Sequence, residues 1–145
     1  MNKYPKYFTL EELLTSSTAR QRSIENLPSW EIVEHLIELA LFLDGIREAW
    51  GSGIHVNSGF RCDKLNSCLK GSSPTSVHKI GYAADIVPSN GQFEKFGEFL
   101  KNYLKNKAFD QLIVETNKKT GARWYHIQLY SNSGEQRRKI FSLSV

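Results

Sequence analysis

Two histidines and two acidic residues of this chain have the types and spacing of a metal-dependent hydrolytic site. Asp85 follows His78 by seven residues and stands among alanines and aliphatic residues, where an unpaired carboxylate would be costly. His126 and Glu115 lie further along the chain. Two imidazoles and one carboxylate suit a catalytic zinc with an open fourth position, and a second carboxylate can accept a proton. Because His and Asp also form purely structural pairs, composition leaves both interpretations open.

The strand pattern around His126 indicates which side chains share a face. Residues 109–130 contain two alternating runs separated by the turn residues 117–121, which predicts a β-hairpin. Side chains alternate across a strand, so Glu115, Trp124 and His126 are expected on one face, opposite the apolar residues of the hairpin. The hairpin therefore predicts that Glu115 lies on the His126 side of the sheet.

The other elements must support and position this hairpin. Thr9 and Glu12 fit a capping box, and apolar residues at three- and four-residue steps between Ser29 and Gly51 predict a long helix. A second amphipathic helix is predicted over about residues 91–105. Further β-type runs occupy residues 54–58, 83–87 and 138–143. This order of elements predicts an α+β fold, a small mainly antiparallel sheet with helices packed on one side.

Composition narrows the functional classes. A length of 145 residues predicts one domain over residues 1–145, and 40% hydrophobic with 23% charged residues excludes a disordered chain. The net charge of +4 is not gathered into a basic stripe, so no nucleic-acid partner is expected. We expect no membrane span and no signal peptide, hence cytoplasmic synthesis, and we expect a monomer. Cys62 and Cys68 are expected to be free thiols.

Several motifs together resemble a known peptidase family. They are S-x-H-x-x-G-x-A-x-D from Ser76 to Asp85, S-G-F-R ending at Arg61, and W-x-H ending at His126. With them the chain is similar to the zinc D-Ala-D-Ala carboxypeptidase and endolysin peptidase family, in its small phage- and bacterium-encoded branch. That family shares its metal-site fold with the Hedgehog signalling domain. The resemblance extends through residues 8–12, 18–19, 26–28 and 109–113 and so covers nearly the whole chain.

The resemblance implies roles for individual residues. It implies that His78, Asp85 and His126 are the zinc ligands. Arg61 would lie near the site, where its fork of donors could hold a substrate carboxylate or stabilise an oxyanion. A structural ion pair is the alternative for Arg61. The residues expected to contact substrate are Ser76, Arg61 and Trp124.

The general base is assigned by position. Several branches of the family carry the catalytic acid three residues before the second histidine, but that position here is Arg123, which cannot accept a proton. Glu115 is the predicted base, because the closer branch carries a glutamate after D-Q-L-I and the hairpin directs it to the His126 face. A solvated residue at a strand end is the alternative. Asp110 is a weaker candidate, better suited to a turn or cap.

The sequence thus predicts zinc-dependent hydrolysis of an amide bond in peptidoglycan stem peptides, by a carboxypeptidase or an endopeptidase. The alternative is a non-catalytic zinc-containing module that binds wall peptides or a protein partner, which Arg123 favours slightly. Without a signal peptide, such an enzyme would reach the wall after phage-type release or would recycle wall fragments inside the cell.

Overall fold

The computed structural model describes residues 4–145. Five α-helices lie at Leu10–Leu14 (α1), Ser17–Gln21 (α2), Trp30–Trp50 (α3), Asp63–Cys68 (α4) and Phe93–Tyr103 (α5). Five strands lie at Ile54–Ser58 (β1), Ala83–Pro88 (β2), Gln111–Thr116 (β3), Arg123–Gln128 (β4) and Lys139–Ser144 (β5). Two 3₁₀ turns lie at Val77–Ile80 and Leu104–Asn106.

The strands form one sheet in the order β1-β2-β4-β3-β5. Every neighbouring pair is antiparallel except β3 and β5, which run parallel. The predicted α+β class with a mainly antiparallel sheet is therefore confirmed. The parallel pair arises because β5 returns to the edge of the sheet after a loop rather than through a hairpin.

The helix boundaries follow local capping chemistry. The Ser29 side chain accepts a hydrogen bond from the backbone N–H of Ile32 at the start of α3, and Gly51 ends that helix in the left-handed region. The predicted capping box of Thr9 and Glu12 is present in α1. Helix α5 begins later than expected, at Phe93, because residues 89–92 form a turn instead.

The helices cover one face of the sheet. Helix α3 buries five side chains, and α5 packs on the strands through Phe93, whose ring stacks on Tyr125 with centroids 4.3 Å apart. Buried residues of this face are Ala84 and Ile86 of β2, Leu112 of β3, and Tyr125 and Ile127 of β4. The side chains that alternate with them point to the opposite face. Within residues 4–145, no helix combines the length and apolarity needed to cross a membrane.

Candidate metal centre

Three polar side chains converge on the sheet face that the helices leave uncovered. Asp85 Oδ1 lies 3.2 Å from His78 Nε2 and 3.1 Å from His126 Nδ1. One potential ligand atom from each residue lies within 4.8 Å of the other two, and all three residues are buried. The structure thus brings together the three residues that the sequence analysis singled out as ligands.

Strand register and one tight turn place these groups. Asp85 of β2 is paired directly with His126 of β4, and across the sheet on its other side with Ser58 of β1. His78 comes from the 3₁₀ turn, where the Ser76 hydroxyl accepts a hydrogen bond from the His78 backbone N–H at 3.2 Å. Gly81 ends the turn with φ +84°, a left-handed conformation that favours glycine.

The outer nitrogens of the two imidazoles are directed at protein acceptors. His78 Nδ1 lies 2.7 Å from the carbonyl oxygen of Gly59, and His126 Nε2 lies 2.9 Å from Gln128 Oε1. Both acceptors are oxygens, so each outer nitrogen can donate its N–H there. A neutral ring that holds its proton on the outer nitrogen leaves the lone pair of the inner nitrogen for a metal, whereas an inner N–H would donate to the Asp85 carboxylate.

Such an arrangement fits a bound cation. With both rings protonated on the outer nitrogens, three electron-pair donors face one another in a buried place, and they repel unless a positive charge lies between them. Two imidazole nitrogens and one carboxylate oxygen match the three-ligand sets of catalytic zinc sites, and the outer hydrogen bonds are those that orient metal-bound histidines. The residues present therefore fit a zinc ion.

The neighbouring charges determine whether the Asp85 carboxyl is ionised. Burial alone would raise the pKa of Asp85, but the two histidines hold that pKa well below its usual range. Burial lowers the pKa of His78. Burial also acts to lower the pKa of His126, yet its hydrogen bond with Asp85 outweighs this and raises the pKa. The carboxylate is thus ionised and available as a ligand.

Arg61 forms the ion pair that was the alternative to a substrate role. Its guanidinium donates to Asp85 Oδ2 at 3.1 Å and to Ser58 Oγ at 3.0 Å. Only 12% of the Arg61 side chain is exposed, and this exposed part lines the cleft at the cluster. The two bonds use two of the five N–H groups of arginine, so the ion pair leaves donors for a second partner.

Glu115 lies on the predicted face. The β3–β4 register pairs Glu115 with Trp124, and the next pair on this face joins Ile113 to His126. The Trp124 indole Nε1 donates to Glu115 Oε2 at 2.7 Å, so this side chain is bonded rather than freely solvated. Burial, with the negative charge of Asp85, raises the pKa of the Glu115 carboxyl.

The sheet also determines where the side chains of Arg123 and Asp110 lie. Arg123 is directed to the helix side, where it pairs with Glu94 and lies over the Phe93 ring. The expected turn or cap role of Asp110 is wrong, since its side chain is fully buried and forms an ion pair with Arg137 at 2.8 Å. No local pattern indicates this ion pair, because Arg137 stands 27 residues further along the chain.

The cluster lies in an open cleft of about 470 Å³. Glu115, Arg61, Ser76 and Trp124 also line this cleft, together with residues of the 69–76 and 131–137 segments. The predicted site residues thus surround one space that could admit a peptide.

Gly59 contacts both the hydrophobic core, at Leu13, and the candidate metal centre, at His78. Its carbonyl oxygen accepts from His78, and a Cβ added to it would overlap the backbone of Leu13. We expect Gly59→Ala to lower the free energy of unfolding by about 1–3 kcal/mol, as overpacking does. Denaturant titration of the metal-free protein measures this. Asn57→Ala, at an exposed position of β1 two residues earlier, should stay within about 0.5 kcal/mol, and equal values for the two variants would contradict the prediction.

Comparison with known proteins agrees with this geometry. A protein-family model described as Peptidase M15 matches residues 6–128, a range that contains the three converging residues, Arg61 and Glu115. It ends at the last residue of β4, so the segment that carries β5 lies outside it. A search of curated proteins finds no match to this chain.

Proposed function

Because the chain belongs to the peptidase M15 family, whose members are metallopeptidases, we propose that it hydrolyses an amide bond in peptidoglycan stem peptides. In this proposal His78, Asp85 and His126 hold zinc. The observation that carries it is the convergence of three electron-pair donors in a cleft that also contains an acidic and a basic side chain.

Each chemical role falls to a group whose surroundings suit it. When bound, zinc would supply Lewis-acid polarisation of the substrate carbonyl and would acidify water. Glu115 holds Trp124 with Oε2, so Oε1 is the oxygen proposed to accept a proton and pass it to the leaving amine. Its raised pKa favours this exchange, because a base with a pKa nearer neutrality both accepts and releases a proton readily.

Arg61 is proposed to stabilise charge on the substrate. Its bonds to Asp85 and Ser58 hold the guanidinium rigidly beside the cluster, and its remaining N–H groups are the proposed partners of an oxyanion or a substrate carboxylate. Ser76 and Trp124 line the same cleft and are proposed to contact the peptide. The wall itself, reached after phage-type release, or wall fragments inside the cell would supply the substrate.

Incubation of the zinc-loaded protein with purified peptidoglycan, followed by mass analysis of the soluble products, tests this function. We expect new amine termini, and the released fragment identifies the bond: free D-alanine indicates a carboxypeptidase, and a longer peptide indicates an endopeptidase. The same protein after zinc removal is the control. Tight binding to a wall that stays intact would contradict the proposal and favour a non-catalytic binding module.

A further inference from the structure

A line of polar groups runs from His126 to Arg137 along the wall of the cleft, which Gln128 and Arg137 also line. Gln128 Oε1 lies 2.9 Å from His126 Nε2, and Gln128 Nε2 donates to Asp110 Oδ2 at 2.7 Å. Asp110 is fully buried and Gln128 is 5% exposed. Because so little of these two side chains is exposed, their partners in the protein determine their orientation.

Arg137 holds the far end of this line. Its guanidinium donates to both oxygens of Asp110 at 2.8 Å, and its backbone N–H donates to Oδ1 at 3.0 Å. Burial acts to raise the pKa of Asp110, but the bonds from Arg137 and Gln128 lower it, so the carboxyl is ionised. Arg137 belongs to residues 129–145, the part of the chain beyond the family match.

The donor and acceptor roles along the line are determined by its charged end. An ionised carboxylate can only accept, so Gln128 must direct its NH₂ group at Asp110. Its carbonyl oxygen then faces His126, where it too can only accept. Gln128 therefore favours a proton on Nε2 of the neutral His126 ring, which leaves the Nδ1 lone pair on the side of Asp85, where a metal would bind.

We propose that Arg137, Asp110 and Gln128 form a positioning relay that holds His126 in the tautomer able to bind a metal through Nδ1. The relay rests on the proposed function in one respect, namely that His126 is a ligand. Through Arg137, residues 129–145, which lie outside the family match, would then contribute to the site.

Two substitutions separate a relay from simple packing. In Asp110→Asn the new amide can bond both neighbours by donating to Gln128 and accepting from Arg137. Gln128 would then turn its NH₂ toward His126 and favour the wrong tautomer. We expect the zinc Kd to rise by about 10–100-fold, the usual effect of losing an outer partner of a metal-bound histidine.

The double variant Asp110→Asn with Gln128→Glu should restore binding. The glutamate can only accept, so it again faces His126 Nε2–H with one oxygen and the amide of the new asparagine with the other. If Asp110 and Gln128 served packing alone, the losses of zinc affinity caused by the two substitutions would add. Gln111→Glu is the matched control, because it adds the same charge at the position paired with Gln128 in the sheet.

The zinc Kd is measured on metal-free protein by competition with a chromophoric chelator. The proton position is read independently from ¹⁵N spectra of the His126 ring in zinc-free protein, at a pH where that ring is neutral. Because the Asp85 carboxylate can accept a hydrogen bond from Nδ1–H, the zinc-free ring can adopt both tautomers, and we expect a larger share of Nε2–H in the parent and the double variant than in Asp110→Asn. If the parent protein binds no zinc, the proposed function fails while the ring spectra still test the relay.

An Asp110→Asn variant with the zinc Kd and ring spectrum of the parent would overturn the relay. A double variant that binds zinc no more tightly than the weaker-binding of its two single variants would overturn it too. If Asp110→Asn does not fold, Gln128→Leu takes its place, since it keeps the ion pair of Asp110 with Arg137. The same rise in Kd is expected for Gln128→Leu, and a Kd equal to that of Gln111→Leu would overturn the proposal.

Discussion

Replacing His78 and His126 together by alanine is expected to abolish zinc binding, and hydrolysis with it. The parent protein should bind one zinc per chain, since residues 4–145 contain one buried His/Asp cluster with converging ligand atoms. Asp85 alone cannot replace the lost imidazoles, because a single carboxylate leaves the ion without a chelating set. The zinc content, measured by elemental analysis after gel filtration, should therefore fall from one zinc per chain to none.

The loss should also be visible in local stability. The proposed metal joins the 72–81 loop, which carries His78, to β2 and β4, so hydrogen exchange in this loop should accelerate more than exchange in the sheet. His55→Ala is the control, because His55 is an exposed histidine of β1 outside the cluster. Stoichiometric zinc in the double variant would show that the site is assigned to the wrong residues.

Glu115→Gln is expected to keep zinc and substrate binding while the rate of hydrolysis falls by about 10²–10⁴-fold, the usual contribution of general acid–base catalysis. Glutamine keeps the size of the side chain and still offers an oxygen to the Trp124 indole, but it cannot accept the proton. The kcat on a stem-peptide substrate should therefore fall with little change in KM.

The outcome of Glu115→Gln distinguishes three roles. Glu98→Gln makes the same change on the exposed surface of α5 and should leave the rate unaltered. Loss of zinc from Glu115→Gln would identify Glu115 as a ligand or a support of the ligands. Near-normal turnover would remove it from the mechanism. Asp110 would not replace it, because both its oxygens are bonded to Arg137 in the protein interior.

Local patterns predicted much of the fold. The three- and four-residue apolar steps and the flanking Ser29 and Gly51 determined α3, since a helix repeats every 3.6 residues and its ends require capping groups. Strand alternation placed Glu115, Trp124 and His126 on one face of the hairpin, and the β3–β4 register confirms it. Both predictions succeeded because they depend on neighbours within a few residues of the chain.

Other features depended on contacts between distant segments. That His78 Nδ1 meets the Gly59 carbonyl, or that Arg61 pairs with Asp85, follows from how the turns pack on the sheet. Edge strand β5 joins β3 in parallel only after the 129–138 segment has crossed the end of the sheet.

The sequence by itself thus determined helices α1 and α3, the hairpin with its shared face and the residue types able to hold a metal, but it did not indicate α2 at Ser17–Gln21. Only the tertiary structure decided that Asp110 is buried against Arg137 and that Gln128 links it to His126. The physical reason is that alternation and helical periodicity are properties of the local backbone. Burial of a charge, by contrast, is tolerated only where a distant partner neutralises it, and the folded chain alone determines which partner that is.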